Sequence, residues 1–88
     1  MSETCPYCDG AMDFPSRDHI VPRVLGGRSG ENIIRVCRAC NTTKGGMAPA
    51  AIRVLANEVE AHAALLRQIA DRVDALIETR GLLSERVG

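Results

Sequence analysis

The sequence predicts an α+β protein, with a small cysteine-braced module followed by one long amphipathic helix. Three observations carry this. Four cysteines form two close pairs within the first 40 of 88 residues. Two β-rich segments separated by glycines lie between the pairs. From Pro49 to about Arg80, apolar residues recur at helical spacing. A chain of this length buries only about 60% of its unfolded surface, so a staple such as a metal or a second copy is expected. We divide it into a module at 1–47 and a helix at 48–88.

The pairs are Cys5-x-x-Cys8 and Cys37-x-x-Cys40. This spacing wraps two thiolates around one ion, and two such pairs complete a tetrahedral zinc shell. The competing readings are two disulfides or a redox pair. The polar start `MSETCPYCDG` has no signal-peptide pattern, and no apolar run approaches the ~18 residues of a membrane span. A soluble, cytoplasmic protein with no membrane contact is therefore expected, and its reducing surroundings disfavour disulfides. A redox motif needs one pair beside a strand-helix unit, not two separated pairs.

The 28 residues between Cys8 and Cys37 exceed the span of a simple zinc ribbon. Within them `RDHIVPR` reads as a short edge strand running into a proline bend. `GGRSGE` is a turn cluster, and `NIIRVC` is the second strand of a hairpin. After Cys40, `NTTKGGM` starts a short helix or loop that Gly45-Gly46 breaks. Pro49 suits the first turn of the next helix, and Gly81-Leu82 resembles a helix end with its apolar contact.

Formal charge is zero overall, but from Arg17 to Lys44 six basic residues face two acidic ones. A local +4 suits a phosphate-facing surface, and equally an ordinary solvated one. With Tyr7 and Phe14 the only aromatics, a platform for stacking single-stranded bases is excluded.

Asp18-His19, Asn32 and Asn41, set between the cysteine pairs and followed by Lys44-Gly45, resemble the HNH endonuclease family. These are the ββα-metal nucleases, here the subclass braced by a four-cysteine zinc, which includes small stand-alone proteins of bacteria and their phages. The likeness covers residues 5 to about 47. It implies a metal-dependent DNA endonuclease or nickase acting on double-stranded DNA. Low sequence specificity is expected, since there is no second reading domain. It also implies that Asp18 binds a divalent ion, that His19 is the general base, and that Asn32 holds the His19 loop through backbone hydrogen bonds.

Phosphodiester hydrolysis needs an activated water, positive charge at the phosphoryl oxygens and help for the leaving alkoxide. Histidine is the side-chain type that exchanges protons near neutral pH. Asn41 adds a neutral oxygen ligand, so oxygen donors favour Mg²⁺ or Mn²⁺. Asn41 also suits a helix cap, and Asn32 a turn. Neighbouring residues on a strand point to opposite faces, so Asp18 and His19 share a site only where the strand bends. Arg17, Arg23, Arg28 and Lys44 are candidate phosphate contacts, which makes binding salt-sensitive. The competing function is a catalytically silent zinc-braced module that binds DNA or protein within a larger assembly.

Ile52, Leu55, Val59, His62, Leu66, Ile69, Val73 and Leu76 follow a 3,4 alternation. That is a coiled-coil seam on a helix of about 32 residues, about 48 Å long. The module is too small to cover it, so the expectation is a homodimer through this helix. Because Ala56, Ala63, Ala70, Ile77 and Leu65 widen the apolar face, an antiparallel pair, a larger bundle or a different protein partner stays open. With His62 inside the seam, acid is expected to weaken association by charging a buried imidazole.

Overall fold

The computed structural model describes residues 3–12, 14–22 and 32–82. Strands β1 (Pro15–His19) and β2 (Ile33–Cys37) come first, followed by helices α1 (Arg38–Lys44) and α2 (Pro49–Glu58). A 3-10 turn (Glu60–His62) then leads into α3 (Ala63–Arg80). The class is α+β with a long C-terminal helix, as the sequence predicts.

The strands pair antiparallel, with Pro15 opposite Cys37 and His19 opposite Ile33. β1 starts before the expected segment and stops at His19, and Asn32 is the reason. Its main-chain oxygen accepts from the Ile20 N–H at 2.8 Å. Its side chain then takes both polar groups of Val21, accepting from the N–H at 2.8 Å and donating to the C=O at 2.9 Å. One amide side chain thus replaces a rung of the ladder, and the chain leaves the sheet there. The turn cluster, with Arg23 and Arg28, lies outside the described residues.

α1 follows β2 directly. Cys37 caps it by accepting the Cys40 N–H on its sulfur. The helix ends at Gly45, whose φ of 55° and ψ of −138° suit a residue without a Cβ.

The single helix expected over 49–80 is two helices. Pro49 begins α2, but the chain extends at Val59 (φ −121°, ψ 90°) and turns through Glu60–His62. α3 then runs back antiparallel: Arg53 donates to Asp71 at 2.9 Å and Asp74 at 2.6 Å, and Arg67 donates to Asn57 at 3.1 Å. Physically, a straight helix would leave half the apolar stripe in water. Folding it at Val59 packs Ile52 and Ala56 with Leu66, Ile69, Ala70 and Val73, all buried. Burying each large aliphatic side chain is worth about 1.5–3 kcal/mol.

The argument for a homodimer falls with the straight helix, because one chain closes its own seam. His62 is exposed in the turn and not held between helices, so the expected acid sensitivity loses its basis.

The core is continuous from the cysteine-rich end to the helices, joining Cys5, Tyr7, Ile20, Val36 and Cys40 to the buried residues of α2 and α3. Polar clamps add to it. Gln68 donates to the Tyr7 carbonyl at 2.9 Å, and Arg72 donates to the Pro6 carbonyl at 2.8 Å. Arg72 also grips both oxygens of Asp9 at 2.8 and 2.7 Å. α3 ends as expected: Gly81 is left-handed (φ 66°, ψ 31°), and the Leu82 N–H reaches the Ile77 carbonyl at 2.9 Å. Among the described residues, no helix is long and apolar enough to cross a membrane.

Candidate metal centre and active-site cavity

The tight turn after Cys5 brings the first two thiols together, and the β2–α1 junction supplies the other two. The four sulfurs of Cys5, Cys8, Cys37 and Cys40 lie within 4.8 Å of one another. All four are free thiols, with Cys8 Sγ and Cys37 Sγ 3.8 Å apart, far beyond the ~2.05 Å of a disulfide. Tetrahedral metal–sulfur bonds of about 2.3 Å would set the sulfurs about 3.8 Å apart, so the donor set fits a closed structural site.

Main-chain amides support the charge such a site carries. Tyr7 N and Cys37 N each donate to Cys5 Sγ at 3.4 Å, and Gly10 N donates to Cys8 Sγ at 3.4 Å. Burial opposes ionisation of Cys5, but the amides of Cys37, Cys8 and Tyr7 outweigh it and bring that thiol down to about 7. Burial pushes the Cys8 and Cys40 thiols up. A bound cation would offset the cost that burial places on ionising Cys8 and Cys40.

Beside the cluster, a cavity of about 290 Å³ is lined by Arg17, Asp18, His19, Pro22, Asn41 and the Gly45-Gly46 pair. It brings together Asp18 and His19 from the end of β1 with Asn41 from α1. Asn32 stays outside, holding Val21 just beyond His19. Arg17 is exposed at the rim, while Arg23 and Arg28 lie outside the described residues.

Asp18 is buried, 4% exposed. Its Oδ2 accepts the Tyr7 hydroxyl at 2.6 Å and lies 3.3 Å from Lys44 Nζ, which is 3.5 Å from Oδ1. Lys44 makes its shorter bond, 2.9 Å, to the His19 main-chain oxygen. This corrects the expectation that Lys44 contacts phosphate: the side chain is fully buried. The end of α1 carries it under β1, where it satisfies a carbonyl and neutralises a buried carboxylate.

A carboxylate offers about four lone-pair directions. Tyr7 and Lys44 occupy part of that set, and the Lys44 distances are long for a charged hydrogen bond. Asp18 and Asn41 are therefore the residues that would hold an oxygen-preferring cation in this cavity. Tyr7 is the site residue that sequence reasoning missed. Burial first, and then Asp18, push its hydroxyl well above the usual range, so it stays a donor. Its place between Cys5 and Cys8 gave no signal of what its side chain reaches.

A two-stranded hairpin and short helix gathered on four thiols, with an aspartate, a histidine and an asparagine around one cavity, define a metal-braced ββα module. The chain belongs to the HNH endonuclease family, whose profile matches residues 5–54, more than half its length. A segment of the CRISPR-associated endonuclease Cas9 of Corynebacterium diphtheriae is 42% identical over 45 residues, 47% of this chain. The chain spans 4% of that relative's length. No solved structure matches. The family relationship supports a nuclease-type function in general.

Proposed function

We propose that this protein is a metal-dependent endonuclease or nickase that hydrolyses phosphodiester bonds of double-stranded DNA with low intrinsic sequence specificity. The observation that carries the reading is the meeting of Asp18, His19 and Asn41 in one cavity. In this reading residues 1–47 carry the chemistry, the helices within 48–82 brace them, and Zn²⁺ fills the four-cysteine site.

Asp18 and Asn41 would hold Mg²⁺ or Mn²⁺, which would supply positive charge to the phosphate during hydrolysis. His19 takes the proton from the attacking water. Asn32 fixes the backbone after His19 and so the direction of the imidazole. Arg35, directly across the sheet from Arg17, is paired with Glu3 at 3.4 Å. Arg17, exposed at the rim of the cavity, meets the phosphate chain. Contacts of this kind set register on the duplex and carry little sequence information.

Supercoiled plasmid incubated with Mg²⁺ or Mn²⁺, with chelator as control, tests this. Wild type should nick, and His19→Ala should lose about 10²–10⁴-fold of the rate with its structural metal unchanged. Equal rates for the two would remove His19 from its role. The second reading, a silent binding module in a larger assembly, is favoured by the Lys44 ammonium, which already partners the Asp18 carboxylate at 3.3 Å. The matching segment inside a much longer relative also supports work within a larger protein. Absence of nicking with any common divalent ion selects this reading.

A further inference from the structure

We infer that Tyr7 is a positioning residue for the Asp18 carboxylate, linking the four-cysteine cluster to the ion site. Tyr7 lies between two cluster ligands, Cys5 and Cys8, and its amide donates to Cys5 Sγ at 3.4 Å. Its carbonyl is held by Gln68 of α3 at 2.9 Å. The residue is fully buried, so its ring has no freedom to swing. Its hydroxyl then meets Asp18 Oδ2 at 2.6 Å, a short charge-assisted bond across eleven residues of chain.

The function of that bond follows from the other donor. Lys44 stands 3.3 Å from the same oxygen and 3.5 Å from its neighbour, longer than a charged pair adopts when unrestrained. Two forces hold the pair apart. The His19 carbonyl anchors the ammonium at 2.9 Å, and Tyr7 anchors the carboxylate. Without the hydroxyl, the carboxylate closes on Lys44, and a tighter internal pair competes with the incoming cation. Tyr7 thus keeps Asp18 open to a divalent ion. The inference deepens the nuclease reading and rests on Asp18 as an ion ligand.

The chain's composition makes the test direct. Tyr7 is the only tyrosine, and there is no tryptophan, so near-ultraviolet absorption and emission at the tyrosine band report on this site alone. Titrating the full-length, metal-braced wild type with Mg²⁺ should shift the tyrosine signal saturably, and Asp18→Ala should abolish the shift. Tyr7→Phe should bind Mg²⁺ about 10–100-fold more weakly by calorimetry, as expected when a partner behind a metal ligand is lost. Its cysteine-bound metal and far-ultraviolet dichroism should be unchanged. Nicking by Tyr7→Phe should need correspondingly more Mg²⁺ and recover at saturation, whereas His19→Ala should bind Mg²⁺ normally and not recover.

If Tyr7→Phe does not fold, Lys44→Met supplies the second test. With the competing ammonium removed, Mg²⁺ should bind more tightly than in wild type, and unchanged or weaker binding overturns the inference. A saturable tyrosine shift in a protein that never nicks plasmid keeps the link and removes the nuclease reading. Nicking with unchanged Mg²⁺ affinity in Tyr7→Phe removes the link and keeps the nuclease. A wild type whose tyrosine signal ignores Mg²⁺ also overturns the inference.

Discussion

Residues 3–47 and residues 48–82 share one core yet depend on different physics. Around the cysteine cluster, order comes from thiols, main-chain amides and the buried trio of Tyr7, Asp18 and Lys44, packed together with the apolar Met12, Ile20, Val21 and Val36. In the α2–α3 hairpin the same length scale is held by aliphatic packing, with ion pairs only at its surface. The first region needs polar groups at a few fixed distances. The second needs only apolar surface of the right shape, and tolerates variation in how it is supplied. In the proposed function the chemistry sits in the first region and the bracing in the second.

The largest effect should come from removing one thiol. Structural zinc in small peptides contributes roughly 10–16 kcal/mol near neutral pH, comparable with the whole stability of a domain at about 5–15 kcal/mol. Cys40→Ser should therefore lose the structural metal and the native fold of the first region, leaving residual helix from the second. Elemental analysis and thermal melts check this. A variant that keeps the wild-type melting temperature would show that the thiols are not what holds the first region.

Ile69→Ala should cost about 2–5 kcal/mol, the range for truncating a buried aliphatic side chain. Its metal content at low temperature should stay that of wild type, because no ligand moves. Loss of metal from this variant before any loss of helix would erase the distinction between the two regions.

The smallest effect lies where the regions touch at the surface. The Arg72 hydrogen bonds hold the exposed Asp9 carboxyl below its ordinary value. A depressed carboxyl contributes stability above its unfolded pKa, and that contribution fades as pH falls through the folded value. Between neutral and acid pH, wild type should therefore lose slightly more stability than Arg72→Ala. Solvent screening keeps the difference small. Parallel acid titrations of the two proteins would test it, and a larger acid loss in Arg72→Ala would reverse the sign.

Local features were legible in the sequence. Cysteine spacing, the two strands and the Gly81-Leu82 ending each depend on a few neighbouring residues, and the structure has them. Lys44 was misread because its burial depends on where β1 stops relative to the end of α1, which charge counting does not register. The helix break was hidden for a different reason. A 3,4 apolar stripe looks the same whether it faces a second copy or folds back on itself, and the β-branched Val59 is a weak signal of a turn. The Tyr7–Asp18 bond was invisible because spacing within a cysteine pair says nothing about what the intervening side chain reaches.

The clamps from α3 onto the first cysteine turn have a consequence for biosynthesis. Gln68 and Arg72 lie 61 and 66 residues along the chain from the carbonyls they hold. The ribosome releases the earliest thiols long before the helix that secures them exists. Contacts between such distant positions form late, because a long loop must close first. During synthesis the nascent first turn has its local hydrogen bonds, Cys5 N–H to the Gly10 carbonyl at 2.8 Å and Asp9 N–H to the Cys5 carbonyl at 2.9 Å. An ion on its thiols would add the first long-range tether. Thiol-labelling of stalled chains of increasing length would follow that interval, with protection expected at Cys40's emergence and tightening when α3 arrives. Metal present during synthesis should then raise the yield of folded protein more than the same metal added afterwards.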